Sequence, residues 1–106
     1  MILQGDNHPS IITLDTDISS WDDISVHLTE VKTKRKLKHW DRESVTFDKI
    51  GEQTIIICSW TQEETACLPV GRVIWDVKAM DPEAFVQFWE SCDDVVRNRN
   101  DRSVIL

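Results

Sequence analysis

The sequence is poor in the residues that characterise several classes of non-globular protein. Its 106 residues include only three glycines, three prolines and no low-complexity tract, which argues against a disordered, collagen-like or linker-rich chain. Tyrosine is absent although there are five tryptophans, and each buried tryptophan brings a large apolar area and one N–H group that needs a partner. A chain of this length has room for one modest core, so we expect a single domain over residues 1–106.

Long apolar runs and paired cysteines are also missing. No stretch of about 18 apolar residues occurs, and the opening MILQGDNHPS has neither the basic region nor the apolar region of a signal peptide. We therefore expect no membrane span, and a protein that stays in the compartment where it is made. The cysteines, Cys58, Cys67 and Cys92, are odd in number and form no CxxC pair, which favours reduced thiols over a disulfide framework or a zinc site.

Positive charge is in the minority. The chain has 12 lysine and arginine residues against 19 aspartate and glutamate residues, which gives a formal net charge of −7. Nucleic acid and anionic membranes repel an acidic protein of this kind, so we expect neither as a partner of the whole protein. A specific basic partner remains open.

What the sequence does have is a series of short segments with strand character. Apolar and polar residues alternate around Ile12 and Leu14, over residues 24–28, at Val45 and Phe47, and over residues 73–77. Residues 54–60 are apolar on both faces, which predicts a central strand covered on both sides. Turn-forming residues separate these segments. The spacing predicts a mainly β fold, namely a small antiparallel β-sandwich of the Ig-like type or a partly open barrel.

Two structures compete for the C-terminal part of the chain. Asp81-Pro82-Glu83 has the pattern of a helix start, and apolar residues then recur at helical spacing over residues 85–96. The same tripeptide also suits a turn, and FVQFW is rich in strand formers, so residues 85–90 could pair with residues 71–79 as a hairpin. We favour the strand, with one C-terminal helix as the alternative. Residues 97–106 end in SVIL and are predicted to form a tail that docks onto the body or a neighbouring subunit.

The segment TQEET, which is Thr61, Gln62, Glu63, Glu64 and Thr65, lies between two predicted strands. Thr61 and Glu64 have the spacing of a capping box, in which each side chain accepts a hydrogen bond from the other residue's backbone N–H. We predict a single helical turn that forms a structural corner between two sheets. The alternative is a pair of catalytic or metal-binding carboxylates, Glu63 and Glu64. Adjacent residues point apart, however, whereas such chemistry needs two carboxylates that face one bond.

A basic run is the sharpest local feature. Five basic residues, Lys32, Lys34, Arg35, Lys36 and Lys38, precede Trp40. We expect a hairpin around residues 34–41, with the basic run as its solvated tip or as an edge strand that its lysines protect from aggregation. Two alternatives make Lys34, Arg35, Lys36, Lys38 and Trp40 candidate interaction residues. One is a minor contact with nucleic-acid phosphates and bases, and the other is a contact with an acidic surface of a neighbouring copy in a ring.

The sequence contains no motif that carries catalysis or holds a cofactor. His8, His27 and His39 lack HxxxH and HExxH spacing, and the aspartates between residues 15 and 23 lack the glycine and final glutamate of a calcium loop. No GxxxxGK[ST], GxGxxG or GxSxG occurs. We therefore expect no metal, no cofactor and no enzymatic activity.

One ordered set of features spans most of the chain: an apolar strand, TQEET, Pro-x-Gly, an alternating strand that ends in a basic residue, and a final apolar pair. It is carried by Thr61, Gln62, Glu63, Glu64, Thr65, Pro69, Gly71, Arg72, Val73, Val77, Lys78, Val104 and Ile105, together with the early loop Ser20-Trp21-Asp22-Asp23. This order resembles that of short uncharacterised virion-associated proteins of phages and prophages. Trp60 stands where those proteins usually have leucine.

The resemblance implies a small antiparallel β-sandwich with a structural role in a head, neck, tail or baseplate. We therefore expect a non-enzymatic virion structural protein whose partners are other virion proteins and further copies of itself. It would lie in the virion and, during assembly, in the host cytoplasm. The alternative is a small acidic intracellular effector that binds a host protein, for example as a mimic of DNA charge, which the net charge of −7 motivates.

Overall fold

The computed structural model describes residues 1–18, 21, 23–81, 83 and 86–98. These residues form eight strands, one 3-10 helix at Arg42–Ser44 and one short α-helix, α1 at Gln62–Ala66. The strands are β1 (Ile2–Leu3), β2 (Ser10–Leu14), β3 (Asp23–Glu30), β4 (Lys36–Asp41), β5 (Thr46–Ile50), β6 (Gln53–Cys58), β7 (Gly71–Asp81) and β8 (Val86–Arg97). The prediction of a mainly β fold is confirmed, and the two sheets fit a sandwich or partly open barrel.

The strands divide into two sheets of unequal size. The five-stranded sheet has the order β1-β8-β7-β3-β4, and the three-stranded sheet has the order β2-β6-β5. All paired neighbours are antiparallel except β1 and β8, which are parallel. The chain crosses from the three-stranded sheet to the five-stranded sheet through α1, which lies between β6 and β7. Because β1 is only two residues long, the sandwich has little strand pairing on that side.

The core consists of residues that alternate along the strands of both sheets. The five-stranded sheet supplies Ile24, Val26 and Leu28 from β3 and Val73, Trp75, Val77 and Ala79 from β7, and the three-stranded sheet supplies Ile12, Leu14, Thr54, Ile56 and Cys58. Such burial of every second residue is what period-two alternation predicts for a strand with one face on a core. The strands expected at Ile12 and Leu14 and over residues 24–28 and 73–77 are therefore confirmed.

Three tryptophans meet in this core. The Trp40 ring packs edge-on against Trp60, with centroids 4.8 Å apart, and stacks on Trp75 at 5.4 Å. Their indole N–H groups donate to the backbone oxygen of Ser59 (3.4 Å, from Trp40), to Ser10 Oγ (2.9 Å, from Trp60) and to Asp94 Oδ2 (2.9 Å, from Trp75). Each ring therefore buries its apolar area without leaving its N–H group unpaired.

The C-terminal part of the described chain is a strand, so the helix alternative is wrong. β8 pairs with the whole of β7, from Gly71 opposite Val96 to Asp81 opposite Val86. A helix over the same residues would leave the backbone groups along that side of β7 without the partners that the β8 ladder supplies. The predicted hairpin is confirmed for the described residues, whereas residues 99–106 of the predicted tail lie outside them.

Three other expectations need correction. The hairpin expected around residues 34–41 is present but begins earlier, because β3 pairs with β4 (Lys36–Asp41) and the connecting turn covers residues 31–35, where Lys34 has a φ of 58°. The strand expected over residues 44–48, with Val45 and Phe47 on one face, is β5 at Thr46–Ile50 and so begins and ends two residues later. β6 is the central strand of its sheet, as predicted, but only its inner face is buried, whereas Ile55 and Ile57 on its outer face are half-buried.

A buried hydroxyl fixes the segment that follows β2. Thr54 is fully buried in β6, and its Oγ1 donates to the backbone oxygen of Thr16 at 2.8 Å and accepts from the backbone N–H of Ile18 at 3.0 Å. The side chain of Ile18 is itself fully buried. Thr54 thus joins the middle of the three-stranded sheet to the loop that leads toward β3.

Thr54→Val should lower the free energy of unfolding by about 1–3 kcal/mol, because it leaves the buried N–H of Ile18 and oxygen of Thr16 without their partner. Thr54→Ser keeps the hydroxyl and should therefore lower the free energy of unfolding by a smaller amount. Urea denaturation of the two variants and the wild type measures the difference. Equal losses in both variants would show that the methyl group, and not the hydroxyl, stabilises this position.

Candidate functional site

The TQEET segment forms one capped helical turn. The Thr61 side chain accepts a hydrogen bond from the Glu64 backbone N–H, and the Glu64 carboxylate accepts one from the Thr61 backbone N–H, which is a capping box. Glu64 also forms an ion pair with Lys38 in β4. The hydrogen bond from Lys38, with those from Thr61, lowers the pKa of the Glu64 carboxyl. Glu64 is thus bound within the chain, whereas Glu63 is exposed.

The basic run occupies the tip of the β3–β4 hairpin and the start of β4. Lys32, Lys34, Arg35 and Lys36 are exposed, whereas Lys38 is half-buried against Glu64. β4 is an edge strand of the five-stranded sheet. Lysines on such an edge oppose pairing with another strand, so this placement fits a protected edge.

Trp40 does not belong to the exposed basic surface. Its side chain is 3% exposed and packs against Trp60 and Trp75, while the Lys38 Nζ lies 5.7 Å from its ring centroid. The expectation that Trp40 could stack on a base is wrong, because its ring faces cannot be reached without opening the core. Of the candidate interaction residues, the structure leaves Lys34, Arg35 and Lys36 open to solvent.

The outer face of the five-stranded sheet carries a polar cluster. Asp76 Oδ1 accepts hydrogen bonds from Trp89 Nε1 at 3.1 Å and from Ser91 Oγ at 2.5 Å, and Lys78 Nζ lies 5.5 Å from the Trp89 ring centroid. Next to this cluster, His27 is the cross-strand partner of Asp76. Ser91 is bonded to a carboxylate and not to an imidazole, so the geometry does not activate its hydroxyl as a nucleophile.

His27 and His39 stack on this face. They are cross-strand partners in β3 and β4, with ring centroids 4.5 Å apart and ring planes inclined by 7°. His27 Nδ1 is buried and has no hydrogen-bond partner in the described part of the chain. Burial and the charges of His39, Lys36 and Lys78 lower the pKa of His27, although Asp76 opposes them. Both the burial of His27 and its contact with His39 therefore disfavour a charge on the His27 ring.

A cleft of about 810 Å³ lies between the three-stranded sheet and the β1–β8 side of the five-stranded sheet. Ile2, Ile11 and Ile12 line it beside Trp75 and Cys92. Two pairs of polar groups lie along it: the N-terminal amine contacts Asp94 Oδ1 at 2.7 Å, and His8 Nδ1 contacts Asp6 Oδ1 at 2.5 Å. Burial alone would raise the pKa of Asp94, but hydrogen bonds from the N-terminal amine, Trp75 and the Val95 backbone lower it.

The outer face of the three-stranded sheet presents an apolar surface, which we call the isoleucine face: Ile11, Ile55 and Ile57. Ile11 and Ile57 are cross-strand partners, and Ile55 lies two residues from Ile57 on the same face of β6. Ile11 is 64% exposed, and the other two are half-buried. The sequence signal for this surface is the run of apolar residues on both faces of β6, which by itself predicts a strand covered on both sides.

No cluster of three or more histidine, cysteine, aspartate or glutamate side chains that could hold a metal ion occurs in the ranges that the structure describes. The helices found there are also too short and too polar to span a bilayer. No family model, curated protein or solved structure matches this chain. The function is therefore inferred from the geometry and the sequence of this chain.

His27 should make folding sensitive to acid. Because its pKa lies below the unfolded value of 6.5, the unfolded chain gains a proton before the folded chain does as the pH falls through 6.5. The free energy of unfolding should therefore fall below that pH and be insensitive to this group above it. Denaturation at several pH values should show a smaller loss for His27→Gln than for the wild type. Parallel pH profiles would contradict this assignment.

The cysteines should differ in their reaction with a thiol-alkylating reagent. Burial raises the pKa of Cys58 to about 12, and burial with the charges of Asp94 and Glu90 raises that of Cys92, so both resist forming the reactive thiolate. The Cys67 side chain is exposed. Peptide mapping by mass spectrometry should find Cys67 modified first, Cys92 more slowly, and Cys58 only after unfolding. Rapid modification of Cys58 in the folded protein would contradict its burial.

Proposed function

We propose that this protein is a non-enzymatic structural component that works through protein–protein contacts in the head, neck, tail or baseplate of a phage particle. The isoleucine face carries the proposal. Its residues lie side by side on a sheet surface, and complete burial of an exposed side chain of this size contributes about 1.5–3 kcal/mol, with less for the half-buried Ile55 and Ile57. A strand that is apolar on both faces is normally covered on both faces, and here a partner would supply the second cover.

The charge distribution also supports a contact at this surface. Ile11, Ile55 and Ile57 and their neighbours Thr13 and Thr46 are uncharged, although the chain as a whole has a net charge of −7. Asp48, the cross-strand partner of Ile55 in the edge strand β5, places one charge at the border of this face. Interface centres are depleted of charged residues in the same way, because a buried and unpaired charge is costly. The partners would be other virion proteins and further copies of this chain.

The phage setting of the proposal is supported by the resemblance of the TQEET region to virion-associated proteins. Under this proposal the protein lies in the virion and, during assembly, in the host cytoplasm. Mass spectrometry of purified particles from the producing phage, with copy number per particle, tests this directly. We expect a copy number that matches the symmetry of one part of the particle. Absence from particles, with abundant protein in infected cells, would overturn the structural role and favour the acidic effector.

The isoleucine face can be tested in the same particles. Ile55→Thr and Ile57→Thr replace half-buried apolar side chains by a residue that strands accept, so the domain should fold while its copy number per particle falls. Val70→Thr is a matched control, because Val70 is 55% exposed and lies outside both sheets. Circular dichroism establishes folding. Undiminished incorporation of both isoleucine variants would show that this face is not the contact.

A further inference from the structure

The four strands at the edges of the two sheets differ in how they resist pairing with another strand. β4 carries Lys36 and Lys38, and β5 carries Asp48 and Lys49, whereas β1 has only two residues. Charged side chains and short length are the usual protections of a sheet edge. β2, at Ser10–Leu14, has five residues and no charged side chain. It is therefore the one unprotected edge among the described strands.

The open edge of β2 borders empty space. In the described part of the chain β2 pairs only with β6, and Ser10, Ile11 and Ile12 line the cleft of about 810 Å³. An added strand could therefore reach the backbone groups on this side of β2. Strand addition of this kind obtains its affinity from main-chain hydrogen bonds and its specificity from alternate side chains.

We infer that a second copy of this chain adds to the edge of β2, so that two three-stranded sheets become one continuous six-stranded sheet. This inference rests on the proposed function and identifies a second copy of the chain as one of the protein's partners. The two β2 strands would run antiparallel about a twofold axis near Ile12, which places Ile11 of one copy opposite Thr13 of the other. In this arrangement the isoleucine faces of the two copies lie on the same side of the joint sheet.

Charge explains why the partner is a second copy and why the strands are antiparallel. The chain is acidic, so a contact between two identical segments about a twofold axis is favoured where the segment itself lacks acidic groups, and β2 is such a segment. Antiparallel pairing about Ile12 places Asp15 opposite Pro9 and Asp17 opposite Asn7 of the other copy. Parallel pairing in register would instead place each aspartate opposite itself, and like charges directly opposite each other are destabilising.

Two variants of identical composition test the edge. Ile11→Lys/Thr13→Lys places lysines of the two copies opposite each other at the proposed contact, and all the changed side chains are exposed in one copy. Thr46→Lys/Ile50→Lys makes the same chemical changes on the same outer face but on β5, the opposite edge. Sedimentation equilibrium should give a dimer for the wild type and the β5 variant, and a dimer dissociation constant raised at least about tenfold for the β2 variant.

Each other result overturns the inference. If both variants weaken the dimer, the copies meet through the outer face and not through the edge. If neither weakens it, they meet elsewhere. A wild type that stays monomeric at its highest soluble concentration also rejects self-pairing, whereas the proposed structural role would then still be decided by the content of purified particles.

Hydrogen exchange of the unaltered protein gives a second test that does not depend on the folding of a variant. Amides of residues 10–14 should exchange more slowly as protein concentration rises, because dimerisation would give the outward-facing groups of β2 new hydrogen-bond partners. Amides of residues 46–50 should exchange at a rate that does not depend on protein concentration. Concentration-independent exchange in both segments, or protection of β5 alone, would overturn the inference.

Discussion

The packing of Trp40, Trp60 and Trp75 between the sheets is the constraint on which the rest of the structure depends. The rings come from β4, from the residues after β6 and from β7, so they join both sheets in one contact. Their N–H groups extend that contact to Ser10 in β2 and Asp94 in β8, while the third N–H group, that of Trp40, donates to Ser59 beside Trp60. Burial of three large rings therefore also sets where β2 and β8 lie relative to the core.

The surfaces of functional interest follow from the unequal sizes of the two sheets. Five strands on one side and three on the other leave β2 without a second neighbour in the described chain and open the cleft beside it. The inner face of β6 is covered by the larger sheet, while its outer face retains Ile55 and Ile57. The same strand thus builds the core and presents an apolar surface, which is the arrangement expected of a domain that completes its burial in an assembly.

Local sequence patterns predicted the strands with alternating residues, because a buried side chain at every second position leaves a period of two. The capped turn at Thr61 could also be predicted, because its hydrogen bonds join residues only three positions apart. The burial of Trp40 could not be predicted from local sequence, because its contacts with Trp60 and Trp75 join residues far apart in the chain. The residue pattern of β6 could not show which of its two apolar faces would be covered, because this depends on the side on which the five-stranded sheet packs.

If the protein works as proposed, the isoleucine face is buried in an assembly. NMR can measure the accessibility of methyl groups to a soluble paramagnetic agent in the isolated protein and in the assembled state. We expect the methyl groups of Ile11, Ile55 and Ile57 to be accessible in the isolated protein and protected after assembly, while those of Val70 stay accessible throughout. Equal accessibility of the three isoleucines in both states would contradict it.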